Sequence, residues 1–357
     1  MKILLDINHP AYFHFFREFI LRAREEGHRL LITSRDKDCL IDLFRAYDIP
    51  YINKGRGQSS LAGKFFHLFR EVLFLYRKAK TFQPDLFLSF ASPYAAIVGK
   101  LLRKKVITFD DTEPDPLLHR IYPRFSDLIL TPSCFEKELG PRHLRFNGYK
   151  EAAYMPRTER HPGIRSGLGI PEEGPLVLVR FVSHGATHEL GQKGISLKQK
   201  IQAVEEFSKY AHVRISSEGN LPEELKSYGF HCPPDQMHAL MAECALLYGE
   251  STTMAAEAAH LDLPSVVVEE KGRGYLRDLQ KKYGIVHWYK EGQQEEALHT
   301  ALSILKKERT FPDNISQRIL AEATDTTRLL LWIMDYFPCS IQLLLDHPGK
   351  IGEFRNG

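Results

Sequence analysis

Two tryptophans, six methionines and five cysteines are all that these 357 residues hold of those types. The cysteines, Cys39, Cys134, Cys232, Cys244 and Cys339, are odd in number and form no CxxC pair, which excludes a zinc ribbon and a complete disulfide framework. A reducing cytoplasm is the expected compartment. Long apolar runs are also missing, since no segment approaches the roughly 20 residues of a membrane span. The opening Ile3-Leu4-Leu5-Asp6 is too short an apolar run for a signal peptide. Charge of one sign is lacking too: 48 basic against 45 acidic residues leave a net +3. That balance argues against a dedicated nucleic-acid binder, so no nucleic-acid partner is expected.

What remains is ordinary for a globular enzyme, with 43% hydrophobic and 26% charged residues in a chain longer than one compact core usually needs. Apolar runs alternate with amphipathic stretches, the signature of doubly wound α/β domains. Strands are predicted over Lys2 to Ile7, Arg29 to Ser34, Asp85 to Ser89, Lys105 to Phe109 and Leu128 to Thr131, with helices over Tyr12 to Glu26, Lys37 to Tyr47, Leu61 to Thr81 and Pro93 to Leu102. Few of these strands alternate apolar and polar residues, as expected when helices cover both faces of a parallel sheet. Turn-forming residues from Gly148 to Gly174 interrupt the pattern, which then restarts at Leu176. The predicted organisation is a first domain over 1–160, a second over 161–313, a helix over 314–337 that returns to the first domain, and an unassigned tail over 338–357.

One stretch carries the most chemistry. Gly249-Glu250-Ser251-Thr252-Thr253 follows the strand-like Ala245 to Tyr248 and leads into an Ala-rich helix that stops before Ser265-Val266-Val267-Val268. Unpaired N–H groups at such a helix start suit a phosphate or diphosphate, and Ser251, Thr252 and Thr253 add hydroxyl donors. Glu257 lies one to two turns further in, placed to accept hydrogen bonds from sugar hydroxyls. An ordinary N-capped helix is the plainer account of the same residues.

Other polar groups gather at predicted strand ends, where open parallel sheets bind ligands. Asp6, Asn8, His9 and His14 follow the first strand. Asp110, Asp111, Glu113 and Asp115 follow the strand ending at Phe109, with helix capping as the alternative for Asp111 and Thr112. Arg180, Ser183, His184 and His188 follow the strand from Leu176, and Ser216-Ser217-Glu218-Gly219 ends another. The His184 and His188 spacing also fits two imidazoles of a metal site, although the flanking HExxH pattern is absent. Between Lys64 and Phe82, aromatic and aliphatic residues are mixed with Lys64, Arg70, Arg77, Lys78 and Lys80, a composition suited to docking on an anionic membrane or to a crossover helix with a basic outer face.

Several segments carry a resemblance: Met1 to Pro10, Gln83-Pro84-Asp85, Ser89 to Tyr94, Phe109-Asp110-Asp111-Thr112-Glu113 and Val179 to Ser183. Over roughly residues 1 to 335 the chain resembles domain of unknown function number 354, an uncharacterised family of the superfamily that contains the GT-B glycosyltransferases and the UDP-N-acetylglucosamine 2-epimerases. The resemblance implies a GT-B-like fold, two Rossmann-like domains facing a cleft, and a nucleotide-sugar donor, UDP-linked, held by the second domain. Ser251, Thr252 and Thr253 then fall at the phosphates and Glu257 at the ribose. Arg180, Ser183, His184 and His188 fall around the donor diphosphate, with Ser217 and Glu218 near the nucleobase or ribose. The first domain then supplies the acceptor side, with His14 as the preferred base and His9 second, and with Asp111 and Glu113 as acids. Relatives usually carry Gly where this chain has Thr252 and Thr253, and the β-branched residues let a phosphate approach the backbone less closely. No metal and no cofactor are implied, the nucleotide sugar being substrate. The expected reaction is sugar transfer to a hydroxyl acceptor in glycan or glycolipid synthesis. The rivals are a 2-epimerase and a nucleotide-sugar-binding protein without turnover. Against the epimerase, Ala91-Ser92 lacks the carboxylate that those enzymes carry at that strand end.

Overall fold

The computed structural model describes residues 1–55, 61–158, 161–182 and 194–355, and side chains within 61–67 are outside it. It divides into two compact units, residues 1–154 with 321–357, and residues 155–320.

The first unit runs β1 (Lys2–Ile7), α1 (Pro10–Glu25), β2 (Arg29–Ser34), α2 (Leu40–Ala46), β3 (Ile52–Asn53), α3 (Leu61–Phe82), β4 (Leu86–Phe90), α4 (Pro93–Leu101), β5 (Lys105–Phe109), α5 (Leu118–Phe125), β6 (Leu128–Pro132) and β7 (His143–Phe146). All seven strands pair in parallel in the order β3-β2-β1-β4-β5-β6-β7. Strand order reverses between β1 and β4, which makes the carboxyl ends of those two strands the switch point where open sheets take ligands. Ile3, Leu4 and Leu5 are fully buried, and so are Phe87 and Leu88, because helices cover both faces of the sheet. Three elements escape the sequence pattern. β3 has only two residues, β7 reads His-Leu-Arg-Phe without an apolar run, and α5 carries Pro123 inside it.

The second unit contains α6 (Ile164–Gly167), β8 (Leu176–Phe181), α7 (Leu197–Ser208), β9 (His212–Ser217), α8 (Met237–Met241), β10 (Leu246–Gly249), α9 (Thr252–Ala259), β11 (Ser265–Val268), α10 (Gly274–Tyr283), β12 (Val286–Tyr289) and α11 (Gln294–Leu305). Its parallel sheet has the order β12-β11-β10-β8-β9, so the switch point lies between β10 and β8. Val177, Val179, Val204, Phe207, Tyr248 and Val266 form the core between this sheet and the helices on one face.

The periodicity from Ile315 to Tyr336 predicts one helix, but the chain forms two, α12 (Ile315–Glu322) and α13 (Thr326–Asp335). The break has a visible cause. The Thr324 amide donates to the carbonyl of Asn147 (2.9 Å) and the Asp325 amide to that of Phe354 (2.6 Å), after which the Asp325 carboxylate caps α13 through the Arg328 amide (2.9 Å). The residues beyond Pro338, unassigned from sequence, form α14 (Cys339–Asp346) and a 3-10 turn over Pro348–Glu353.

Candidate functional site

In the first unit, the carboxylate of Asp6 ends β1 with no exposed surface. Its Oδ1 accepts from Lys54 Nζ (2.5 Å) and Thr33 Oγ1 (2.8 Å), and its Oδ2 from Ser92 Oγ (2.5 Å) and Asn8 Nδ2 (2.8 Å). Burial, the largest single influence, pushes this carboxyl upward, yet the charge and hydrogen bonds of Lys54 with those of Ser92 and Asn8 hold it below its ordinary value. Lys54 is itself buried and also meets Glu71 of α3 at 3.4 Å. The switch point of this sheet is therefore packed with satisfied charges.

The two histidines that the sequence offers as bases both lie on α1 or at its start. His9 is the N-cap of α1, its Nδ1 accepting from the Ala11 amide at 3.2 Å, with Pro10 at the first turn. His14 is 6% exposed, with its ring stacked 5.3 Å from that of Tyr154.

Past β5, the four acids part company. Asp110 is buried and accepts from the amides of Asp111 (2.8 Å) and Thr112 (3.0 Å), from His119 Nε2 (2.9 Å) and from Tyr122 Oη (2.6 Å). Asp115 caps the start of α5 through the Leu118 amide (3.2 Å), while Glu113 is buried. Asp111 faces Lys150 Nζ at 2.6 Å, and the same ammonium reaches Glu151 Oε1 at 2.5 Å. All three are buried, and burial with the negative charge of Asp111 pushes the Glu151 carboxyl up to about 7 despite Lys150. Neither Lys150 nor Glu151 stands out from sequence, because both follow Asn147-Gly148-Tyr149 in a stretch that reads as a boundary. Lys54 was equally hidden, as a lone lysine after a two-residue strand.

In the second unit, α9 begins at the switch point, directly after β10. Gly249 makes this possible. Its φ is +149°, and a Cβ there would lie 2.0 Å from the carbonyl oxygen of Arg180 on β8, so only glycine lets the two strand ends come this close. Glu250 then locks the strand ends: its amide donates to the Arg180 carbonyl (2.9 Å), and its carboxylate accepts from the amides of Val182 (3.0 Å) and Ile195 (2.7 Å) and pairs with Lys200 (3.2 Å). Nothing in the sequence around Glu250 points to this role.

Ser251 is the N-cap of α9, its Oγ accepting from the Met254 amide at 3.3 Å. Thr252 and Thr253 follow, half-buried, with the Thr252 hydroxyl accepting from Tyr275 Oη at 3.0 Å. The helix itself offers no acceptor to their amides, so these N–H groups form its electropositive end. Glu257 is buried and its Oε1 lies 3.1 Å from Nε2 of His238 on α8, a partner that sequence alone does not suggest. Arg180 is already engaged, one guanidinium nitrogen on Ser216 Oγ (2.7 Å) and another on Glu218 (2.7 Å). Ser217 Oγ accepts from the Gly219 amide at 3.3 Å, the turn geometry of a strand end. Ser183, His184 and His188 lie outside the described residues. Among the described residues, no group of three or more His, Cys, Asp or Glu side chains is arranged to hold a metal ion, and no helix is long and apolar enough to cross a membrane.

No family model matches the chain. It is 23% identical to the uncharacterized protein MJ0665 of Methanocaldococcus jannaschii over 283 residues, 74% of this chain and 81% of that protein. Among solved structures, a putative UDP-N-acetylglucosamine 2-epimerase from Listeria monocytogenes superposes with a TM-score of 0.70 at 14% identity, covering 95% of this chain and 96% of that one. The UDP-GlcNAc 2-epimerase of M. jannaschii in complex with UDP-GlcNAc and UDP gives 0.69 at 12% identity over 94% and 100% of the two chains. The spinosyn rhamnosyltransferase SpnG gives 0.61 at 13% over 94% and 100%. With two parallel α/β sheets of seven and five strands and neighbours of both kinds, the chain has a GT-B-like fold.

Proposed function

We propose that this chain is an enzyme that binds a UDP-linked sugar at the start of α9 and transfers the sugar to a hydroxyl acceptor. The observation that carries this reading is the position of that helix start at the switch point of the second sheet, with the Thr252 and Thr253 amides and hydroxyls gathered there. The diphosphate sits on those groups, beside Arg180 of β8, whose guanidinium is held by Ser216 and Glu218. Glu257, its carboxylate held by His238, takes the ribose hydroxyls. Among the candidate proton-transfer groups of the first unit, Asp111 and Glu113 are preferred to His9 and His14, because His9 spends its Nδ1 on capping α1 and His14 packs against Tyr154.

An epimerase is the second reading, favoured by the similarity along almost the whole chain to UDP-GlcNAc 2-epimerases. Incubation with UDP-GlcNAc and NMR detection separates the readings. A new epimer without acceptor selects the epimerase, consumption only with an added hydroxyl acceptor selects the transferase, and a UDP-induced thermal shift with neither reaction selects a binding protein. No shift with any nucleotide would remove all three.

Part of the same proposal is peripheral contact with an anionic membrane through α3. There Phe69 is 65% exposed and Leu73 37% exposed beside Arg70 and Arg77. Flotation with phosphatidylglycerol liposomes at low salt tests it, and absence of binding ends it.

A further inference from the structure

We infer a separate anion site in the first unit that takes a phosphomonoester, independent of the nucleotide site proposed above. A cavity of about 520 Å³ opens between α5 and the chain joining β6 to β7, and His119, Arg124 and Lys137 line it. Its volume lies within the roughly 300–1,000 Å³ of small-molecule sites. Among the described residues, neither Arg124 nor Lys137 has a carboxylate within ion-pair distance. Glu138 also lines the cavity, but its carboxylate is already committed to Arg145 (2.6 Å) and His143 (3.3 Å).

One of the two cations is held in place from behind. Buried Asp110 accepts from His119 Nε2 at 2.9 Å, which turns Nδ1 of the same ring toward Lys137 Nζ at 3.3 Å. One ammonium proton of Lys137 goes to that ring, which leaves two for a ligand oxyanion, and the planar guanidinium of Arg124 supplies a fork matched to phosphate. Pro123, Leu139 and Pro141 complete the lining with aliphatic surface. Such walls suit the carbon skeleton of a small phosphate ester such as a sugar phosphate. A plain inorganic ion would leave them uncovered.

Calorimetric titration of the full-length protein at constant ionic strength tests the site with three probes: sulfate, inorganic phosphate and glucose 1-phosphate. Saturable binding is expected, tightest for glucose 1-phosphate, and weakened about tenfold or more by Arg124→Ala and by Lys137→Ala, in keeping with loss of a charge-assisted hydrogen bond. Arg103→Ala, which alters an exposed charge elsewhere, leaves it unchanged. UDP binding persists in the Arg124 and Lys137 variants, so failure of this site and failure of the nucleotide site are told apart. Equal affinity for all three probes would mean an adventitious ion only. That result, no saturation, or indifference to both variants overturns the proposal.

Discussion

The Ser92 hydroxyl donates a 2.5 Å hydrogen bond to the Asp6 carboxylate while accepting from the Ala95 amide as the N-cap of α4. One side chain thus ties the end of β1 to the start of the helix after β4, and the same carboxylate neutralises Lys54. Removing Asp6 leaves a buried ammonium with Glu71 at 3.4 Å as its carboxylate partner among the described residues. Asp6→Ala should therefore cost about 3–5 kcal/mol of unfolding free energy, the usual penalty for breaking a buried pair. Ser92→Ala, which loses a cap, should cost about 1 kcal/mol. Urea unfolding measures both, and near-equal effects would contradict the central place given to Asp6.

Glu151 links stability to pH. Its carboxyl is raised to about 7 in the folded protein from an ordinary 4.5, so between those values the native state holds a proton that the unfolded chain has released. Its contribution therefore falls as pH rises from the ordinary value to about 7, and is level above. Glu151→Gln should match the native protein near pH 5 and become the more stable of the two above pH 7, by at most roughly 3 kcal/mol. Thermal melts across that window would show parallel curves if the carboxyl were not raised.

Thr253 separates helix stability from ligand binding. Thr253→Asp sets a carboxylate at the positive end of α9, which favours the helix by about 0.3–1 kcal/mol. The same charge repels a diphosphate. The melting temperature should hold or rise while the UDP-induced shift disappears, and a variant that keeps the shift would move the diphosphate elsewhere.

Gly249→Ala tests the closeness of β10 and β8. The added methyl would meet the Arg180 carbonyl at 2.0 Å, a backbone atom that cannot swing aside. A loss of about 3 kcal/mol or more is expected in denaturant unfolding, together with loss of nucleotide binding. A well-folded variant with native affinity would mean that the strand ends have slack.

Much of the fold is legible in the residues. Apolar runs such as Lys105 to Phe109 and Leu176 to Val179 mark buried parallel strands because both faces are covered. Elements that depend on neighbours are not legible in this way. β7 is a strand because it hydrogen-bonds alongside β6, and α12 and α13 separate because Asn147 and Phe354 supply carbonyls to Thr324 and Asp325. The site divides along the same line. Ser251 at the start of α9 follows from its place between a strand and an Ala-rich run, whereas the capping role of His9 and the packing of His14 emerge only with Ala11 and Tyr154 beside them.

By itself, then, the sequence determines two parallel α/β sheets and the helix start that follows Gly249, since hydrophobic periodicity and capping residues act over a few neighbouring positions. The tertiary structure alone decides which charges meet: Lys54 finds Asp6 across 48 positions of chain, Lys150 finds Asp111, and His238 finds Glu257. The physical reason is that a charge is satisfied through space. No spacing along the chain encodes which partner the folding of intervening helices will bring within 3 Å or so of a buried ammonium or carboxylate.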